Sequence, residues 1–425
     1  MGTTHQKIVF VTLYISYFLN VYLRRSVTFA LPEIAQSEAL DENQLGLMLS
    51  GQMMAYAACK FLWGIFIDFL SPRLVMSVGL IASGMSALMF ASVHGSVWLF
   101  TLCWMFNGMA GSPGWPAAAI IMKNWYREDQ YATAWSILST TMNVAGVLGP
   151  LISACVITYS GWRSSFIIPG TLAVCFGVLQ YFTVSDGPAE STSNIKQNNQ
   201  NKSSDNVDKL LSRKELFQLP GYLGVCICYG IVGIVQYGTL QWGPVYLVND
   251  LGHSIITGNS YLSSLEVGGI IGALIAGYCS DSMLSENSNE RSQVIRQYVI
   301  AWFTSGLVVF LFLLTYCITT YSSLMWINII GFGIGLTING PVAIYGVTAI
   351  ECAPKHMAGT SHAFASLFSS VGQSAAGLPL SFIAKFWGWK KAFLLQMFLA
   401  LILSGYLFIY TTKERQKTIS HKKQE

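Results

Sequence analysis

Long apolar runs, separated by short clusters of charge, proline or polar residues, fill most of the chain. Their boundaries predict spans near 8–31, 44–69, 74–94, 97–123, 130–158 and 164–184. A second set follows near 220–248, 257–281, 297–318, 323–350, 357–384 and 391–411. About 20 apolar residues in a helix cross a hydrocarbon layer of ~30 Å. Inside lipid only helices and closed barrels satisfy every backbone polar group, and these runs are far too long for barrel strands. The predicted fold is an all-α membrane protein of twelve transmembrane helices in two six-helix halves. The expected organisation is a bundle over 1–185, a polar linker over 186–219, a second bundle over 220–411 and a tail over 412–425. The linker's Ser/Asn/Gln/Lys-rich stretch has no aromatic residue to bury.

Composition narrows the class. Of 425 residues, 53% are hydrophobic and only 10% charged, and the mean hydropathy is +0.49. A soluble domain carries about 25% charged residues. A nucleic-acid partner, a secreted disulfide scaffold and a cytosolic enzyme are therefore excluded, and the expected surroundings are a lipid bilayer. The nine cysteines lack metal-site spacing. No Walker A, His-Glu-x-x-His or nucleophile-elbow motif is present, so no catalytic residue, cofactor or metal is expected. Of the 24 basic residues, the seventeen that include Lys7, Arg73, Arg291 and Arg296 fall in alternate loops and the two tails, against four on the opposite side. That bias places both termini in the cytosol.

The halves echo each other. Gly64-Ile-Phe-Ile-Asp68 closes the second span and Gly277-Tyr-Cys-Ser-Asp281 the eighth; Gly114-Trp115-Pro116 in span four is answered by Gly340-Pro341 in span ten. Gly161-Trp162-Arg163 opens span six as Gly388-Trp389-Lys390 opens span twelve. A six-helix unit repeated in parallel is an organisation of alternating-access transporters.

Charges inside a span cost about 2.5–3.5 kcal/mol on insertion scales and mark function by default. Arg24 and Arg25 lie deep in the first span, and guanidinium suits phosphate or carboxylate through paired hydrogen bonds. The alternative is a snorkelling or ion-paired couple. Lys60 reaches an interface, pairs with an acid or contacts substrate. Glu266 in span eight either balances an arginine or carries a proton; His362 in span eleven is a hydrogen-bonded core histidine, a proton site or a substrate contact. Asp68 and Asp281, beside Arg73 and Arg291, read as latching loops that hold one conformation. The glycines of 266–277 and 139–150 form faces for close helix packing.

The Gly-x-x-x-Asp repeats resemble the major facilitator superfamily. Ser112-Pro-Gly-Trp-Pro116, Asn124-Trp125-Tyr126, Trp135-Ser-Ile-Leu-Ser-Thr, Gly161-Trp-Arg163 and Gly359-Thr-Ser-His362 resemble organophosphate:phosphate antiporters, and within them most of all the sugar-phosphate exchangers of the endoplasmic reticulum. The resemblance implies exchange of a sugar phosphate, glucose 6-phosphate, for inorganic phosphate. It sets the family's first-span arginine on Arg24, with the following base on Arg25. The base expected in span seven falls on Gln236, an uncharged departure. Lys422-Lys423-Gln424-Glu425 has the form of a dilysine retrieval signal, in keeping with the endoplasmic reticulum membrane. A monomer is expected. The competing readings are a proton-coupled carboxylate transporter, a transport-dead membrane sensor and a membrane phosphatase; the last is disfavoured because Arg163 and His362 fall on opposite faces.

Overall fold

In the computed structural model, described for residues 4–67, 70–126, 128–187, 221–286, 291–353 and 358–422, regular structure is helical throughout. The chain forms two compact units, Met1–Leu211 and Ser212–Glu425. In the first unit the helices are α1 (Thr4–Ser37), α2 (Glu42–Phe66), α3 (Pro72–Ser92), α4 (Val97–Gly111), α5 (Gly114–Trp125), α6 (Glu128–Ser160) and α7 (Ser164–Thr183). The second holds α8 (Tyr222–Val245, extended by a π turn over Tyr246–Asp250), α9 (Ile255–Glu286), α10 (Ser292–Tyr316) and α11 (Leu324–Glu351). It is completed by α12 (Ala358–Ala375), α13 (Leu378–Trp387) and α14 (Trp389–Lys422).

Ten helical stretches among the described residues are long and apolar enough to cross a membrane. The remaining two passes are α2 and the broken pair α4/α5, so the twelve expected spans are all helical passes. Two of them are not continuous. Pass four breaks at Ser112-Pro113, where proline has no N–H to give and disfavours helix in the residue before it. Pass eleven breaks at Ala376-Gly377, with proline in the first turn of α13. The carbonyl of Ala376 at that break is taken by the Trp242 indole N–H at 2.7 Å.

With six passes, each unit begins and ends at one end, here its proximal end. Small residues set the packing. A Cβ at Gly268, Gly272 or Gly335 would overlap the backbone of the facing helix, so α9 and α11 touch backbone to backbone. Gly84 and Gly170 do the same for α3 and α7, and Gly230 and Gly372 for α8 and α12. The two Gly-Trp repeats are one device used twice. Gly161 (φ +78°) and Gly388 (φ +81°) take the left-handed backbone that ends the preceding helix, and Trp162 and Trp389 then bury under the bundle at 4% and 5% exposure.

The distal ends are tied differently. In the first unit Arg163 donates to Glu38 Oε1 (2.6 Å), to the Ala91 carbonyl (3.1 Å) and to the Val93 carbonyl (3.2 Å), and meets His94 Nδ1 at 2.8 Å. Three connections are thereby joined by one side chain. Burial alone would raise the Glu38 carboxyl; the Gly95 amide and the Arg163 guanidinium outweigh it and hold the group below its ordinary value of 4.5. In the second unit the described tie is His253 Nε2 with the Thr319 carbonyl at 3.0 Å.

Arg296, expected among the loop residues, instead lies inside the first turns of α10 and is 8% exposed. Its forked guanidinium bonds both oxygens of Glu351 at 2.7 Å and Ser280 Oγ at 3.0 Å, with Asp281 at 3.5 Å. A guanidinium stays charged when buried, so such neutralisation is what compensates its loss of water. Asp281 is thus paired with Arg296, not with the nearer-in-sequence Arg291. Asp68 lies outside the described residues. Arg73 sits over the Tyr181 ring at 4.9 Å, and its backbone N–H donates to Asp186 Oδ1 at 2.7 Å. Asp186 also accepts from Ser71 Oγ at 2.6 Å, and Asn124 Nδ2 donates to its carbonyl at 2.8 Å. The start of the expected linker is therefore docked onto the N-terminus of α3, where a carboxylate is favoured by the helix dipole. Residues 188–219, the rest of that linker, lie outside the described residues.

Candidate anion-binding site

The first unit gathers its polar residues on α1, α2 and α5. Tyr17, Asn20 and Arg24 follow the three- and four-residue spacing of one helix face. Asn20, 4% exposed, fits against Gly111 and Gly114, where a Cβ would come within 3.4 and 3.2 Å of its amide. The glycine of the Gly-Trp-Pro motif thus makes room for α1. Its Trp115 ring lies 4.9 Å from Tyr17 and 4.4 Å from Trp135, a run of three rings across α1, α5 and α6.

On α2 the buried Gln52 donates Nε2 to the Arg24 carbonyl at 2.8 Å and fixes α1 against α2 at the level of the arginine. One turn further on, the Arg24 guanidinium carbon stands 4.6 Å from the Tyr56 ring centroid, and Lys60 Nζ stands 5.9 Å from the same ring. Tyr56 and Lys60 share a face of α2 by their i, i+4 spacing. The half-buried Arg25 lies within electrostatic range of Tyr17. Arg24, Tyr56 and Lys60 are therefore one cluster: two cations held on an aromatic ring, an arrangement that keeps guanidinium and ammonium oriented while leaving them charged. No ion pair is recorded for Lys60 among the described residues, and its side chain is exposed.

The second unit offers no such charge at Gln236. That half-buried side chain, on α8, donates Nε2 to Asn339 Oδ1 on α11 at 2.7 Å. Glu266 shares a face of α9 with Gly269, three residues on, against which Asn339 packs. His362, on α12, is exposed and hydrogen-bonded, with Nδ1 3.2 Å from the Gly346 carbonyl and Nε2 3.4 Å from Ser366 Oγ. Gly346 is seven residues from Asn339 on α11, so His362 lies about 10 Å along that helix from the amide pair. Gln236 and His362 are thus parts of separate contacts in the same unit.

Sequence reasoning missed Tyr56, Gln52 and Asn339. Tyr56 had a signal, its helical spacing from Lys60. Asn339 had a weaker one, a lone amide beside Gly340-Pro341 in an apolar span. No group of His, Cys, Asp and Glu that could hold a metal occurs among the described residues.

The chain is 27% identical over 407 residues to a "Probable hexose phosphate transport protein" of Chlamydia pneumoniae, covering 91% of this chain and 87% of that protein. To the membrane sensor protein UhpC of Salmonella typhimurium it is 29% identical over 394 residues, with the same coverages. The inward-facing, unoccupied structure of a bacterial homolog to the human lysosomal transporter Spinster superposes with a TM-score of 0.78 at 13% identity, over 98% of this chain and 99% of that one. The Major Facilitator Superfamily pattern matches residues 13–377. With twelve helical passes in two units and that match over most of its length, the chain belongs to the major facilitator superfamily.

Proposed function

We propose that this protein is a secondary transporter, not an enzyme, exchanging a sugar phosphate for inorganic phosphate by alternating access, with glucose 6-phosphate as the sugar phosphate. The observation that carries the reading is the pair of cations, Arg24 and Lys60, on the Tyr56 ring. A phosphomonoester carries about −1.5 to −2 charges at neutral pH. Arg24 supplies paired, charge-assisted donors to it, Lys60 a second point charge, and Arg25 a third cation nearby. The run Tyr17, Trp115 and Trp135 provides aromatic faces suited to the C–H surface of a sugar ring. Gln236 and His362 supply hydrogen bonds. Asp281 and Arg73 are latching residues, each within its own unit, as is Asp68 by its place in the sequence, and Glu266 has a structural role. The similarity to the Chlamydia hexose phosphate protein supports the substrate class.

Reconstitution into phosphate-loaded liposomes tests this. Labelled glucose 6-phosphate should enter faster when phosphate is present inside, and ATP should change nothing. Uptake driven by a pH gradient alone, indifferent to internal phosphate, replaces exchange with proton symport and makes Glu266 the proton site. The likeness to a membrane sensor favours one second reading, substrate binding without transport, which the same liposomes report as binding with no flux. The further expectations are a monomer with both termini in the cytosol, in the endoplasmic reticulum membrane. Changing Lys422 and Lys423 to Ser should move it out of that membrane.

A further inference from the structure

Apart from the residues of the proposed exchange, the second unit sets an arginine beside its membrane-facing surface. The Arg415 guanidinium carbon, on α14, lies 4.4 Å from the centre of the Tyr298 ring on α10. Three rings stand edge to face there: Tyr298 with Trp302 at 6.3 Å and 85°, Tyr298 with Phe408 at 6.0 Å and 83°, and Trp302 with Phe408 at 5.5 Å and 90°. Deeper along the same two helices, the Ser305 and Ser404 hydroxyls meet at 2.7 Å and fix α14 on α10. Trp302 is 59% exposed, and Val309 and Tyr316, seven and fourteen residues on, continue its exposed stripe along α10. Ile402 and Ile409 do the same on α14. Both helices are long and apolar enough to cross a membrane, so an exposed apolar stripe on them meets acyl chains.

Arg415 lies at the edge of that stripe. It follows Phe408 by two turns on the same face of α14, so it stands about 10 Å nearer the proximal end, beside Gln416, where the apolar stretch closes. Headgroups begin at that depth, and Trp and Tyr are favoured just below it. Stacking holds the guanidinium by its face, whereas phosphate oxygens pair with its N–H edge. Glu414 is its neighbour in sequence, yet Lys413, Arg415 and Lys417 leave the segment net positive, which suits an anionic lipid surface. The first unit carries the same pair on its own third and sixth passes with the partners exchanged, Arg73 on α3 over Tyr181 on α7. There the neighbouring anion belongs to the chain, the Asp186 carboxylate on the Arg73 backbone N–H. We propose that Arg415 on Tyr298, with Trp302 and Phe408, is a binding site for an anionic phospholipid. The cation takes the headgroup phosphate, and the two rings take the start of an acyl chain.

Native mass spectrometry of the full chain in detergent, titrated with phosphatidylserine or with phosphatidylcholine, measures the affinity of the first bound lipid. Phosphatidylserine should bind more tightly than phosphatidylcholine. Arg415→Gln should weaken phosphatidylserine about fivefold, the worth of one cation at a lipid surface, and leave phosphatidylcholine unchanged. Tyr298→Leu removes no charge and should weaken it comparably by releasing the guanidinium, as should Arg415→Lys, which keeps the charge and loses the paired donors. Lys413→Gln removes an equal charge from another face of α14 and should matter less than any of these. Tyr298→Phe keeps the ring and should bind as wild type does. If Tyr298→Leu does not fold, Arg415→Lys and Lys413→Gln carry the same comparison. Inorganic phosphate and glycerol 3-phosphate have no acyl chain for Trp302 and Phe408, and should not displace the lipid. Equal affinity for the two lipids overturns the proposal, as does displacement by the soluble phosphates. So does an equal loss in Lys413→Gln and Arg415→Gln with Arg415→Lys and Tyr298→Leu unchanged, since that is attraction to the charge of the segment as a whole.

Discussion

In the first unit two cations, Arg24 and Lys60, share one tyrosine ring, while in the second unit the position matched to Arg24 belongs to a pair of amides, Gln236 and Asn339. At the proximal ends the contrast reverses. The second unit buries Arg296 in a fork to Glu351, with Ser280 and Asp281 beside it. The first has Arg73, 223 residues earlier, over Tyr181, with the carboxylate of Asp186 bonded to the backbone of the α3 terminus. One unit sets its cations against an aromatic ring, and the other locks its charge inside the bundle in a fork to a carboxylate. A repeated fold therefore conserves helix order and turn geometry while the work of its charges is divided. Charge exposed to a ligand must stay loosely compensated, and charge that holds helices together must be compensated fully.

The sharpest way to break this contrast is at Arg24. Arg24→Ala should nearly abolish exchange, and Arg24→Lys should restore little because the paired donors are lost. Gln236→Ala should weaken apparent affinity only severalfold, since a neutral bond contributes about 0.5–1.5 kcal/mol against roughly 1.5–3 for a charged one. Flux through Arg24→Ala equal to wild type removes the cation cluster from the site. Gln236→Lys makes the units alike, and should tighten inorganic phosphate while slowing turnover.

Next in size is the buried fork. Arg296→Met leaves Glu351 without its partner and should cost about 3 kcal/mol, the low end for a broken buried pair because Glu351 is 27% exposed. Thermal unfolding in detergent measures it. The double change Arg296→Met/Glu351→Leu should recover most of the loss; if it does not, the fork does more than neutralise itself.

Asp186→Ala should cost less, about 1 kcal/mol, the usual worth of a side-chain cap at a helix N-terminus. It should leave KM unchanged if the docked linker start is structural. Limited proteolysis after residue 187 should quicken in this variant.

The smallest effect belongs to Glu38. Its carboxyl is held below its ordinary value in the folded protein, so its contribution to stability is present above pH ~4.5 and is lost as the pH falls through the lowered folded value. Glu38→Gln should flatten the acid limb of the melting curve and leave stability at neutral pH lower by about 1 kcal/mol or less, as for partly exposed pairs.

How much of the site was legible from the chain depends on spacing. The Gly-Trp repeats announced themselves because a left-handed turn needs glycine and a buried ring needs an aromatic at a fixed offset. Arg24, Arg25 and Lys60 stood out because a charge in an apolar run is expensive. Asn339 did not, since an amide costs less to bury and its partner lies 103 residues away. The dense glycines of α9 looked equivalent, and only the neighbours of each show that Gly269 serves Asn339 while Gly268 and Gly272 serve the backbone of α11.

The sequence by itself determined the twelve helical passes, the repeat and the points where charge enters the membrane, because lipid leaves the backbone few choices and penalises every ionised side chain. Tertiary structure alone decided which polar group meets which partner: Arg296 with Glu351 and not a loop acid, Asp186 on α3 and not in a free linker, Gln236 with Asn339. Pairing is a property of helices brought side by side from distant parts of the chain, and periodicity along one helix carries no record of what faces it.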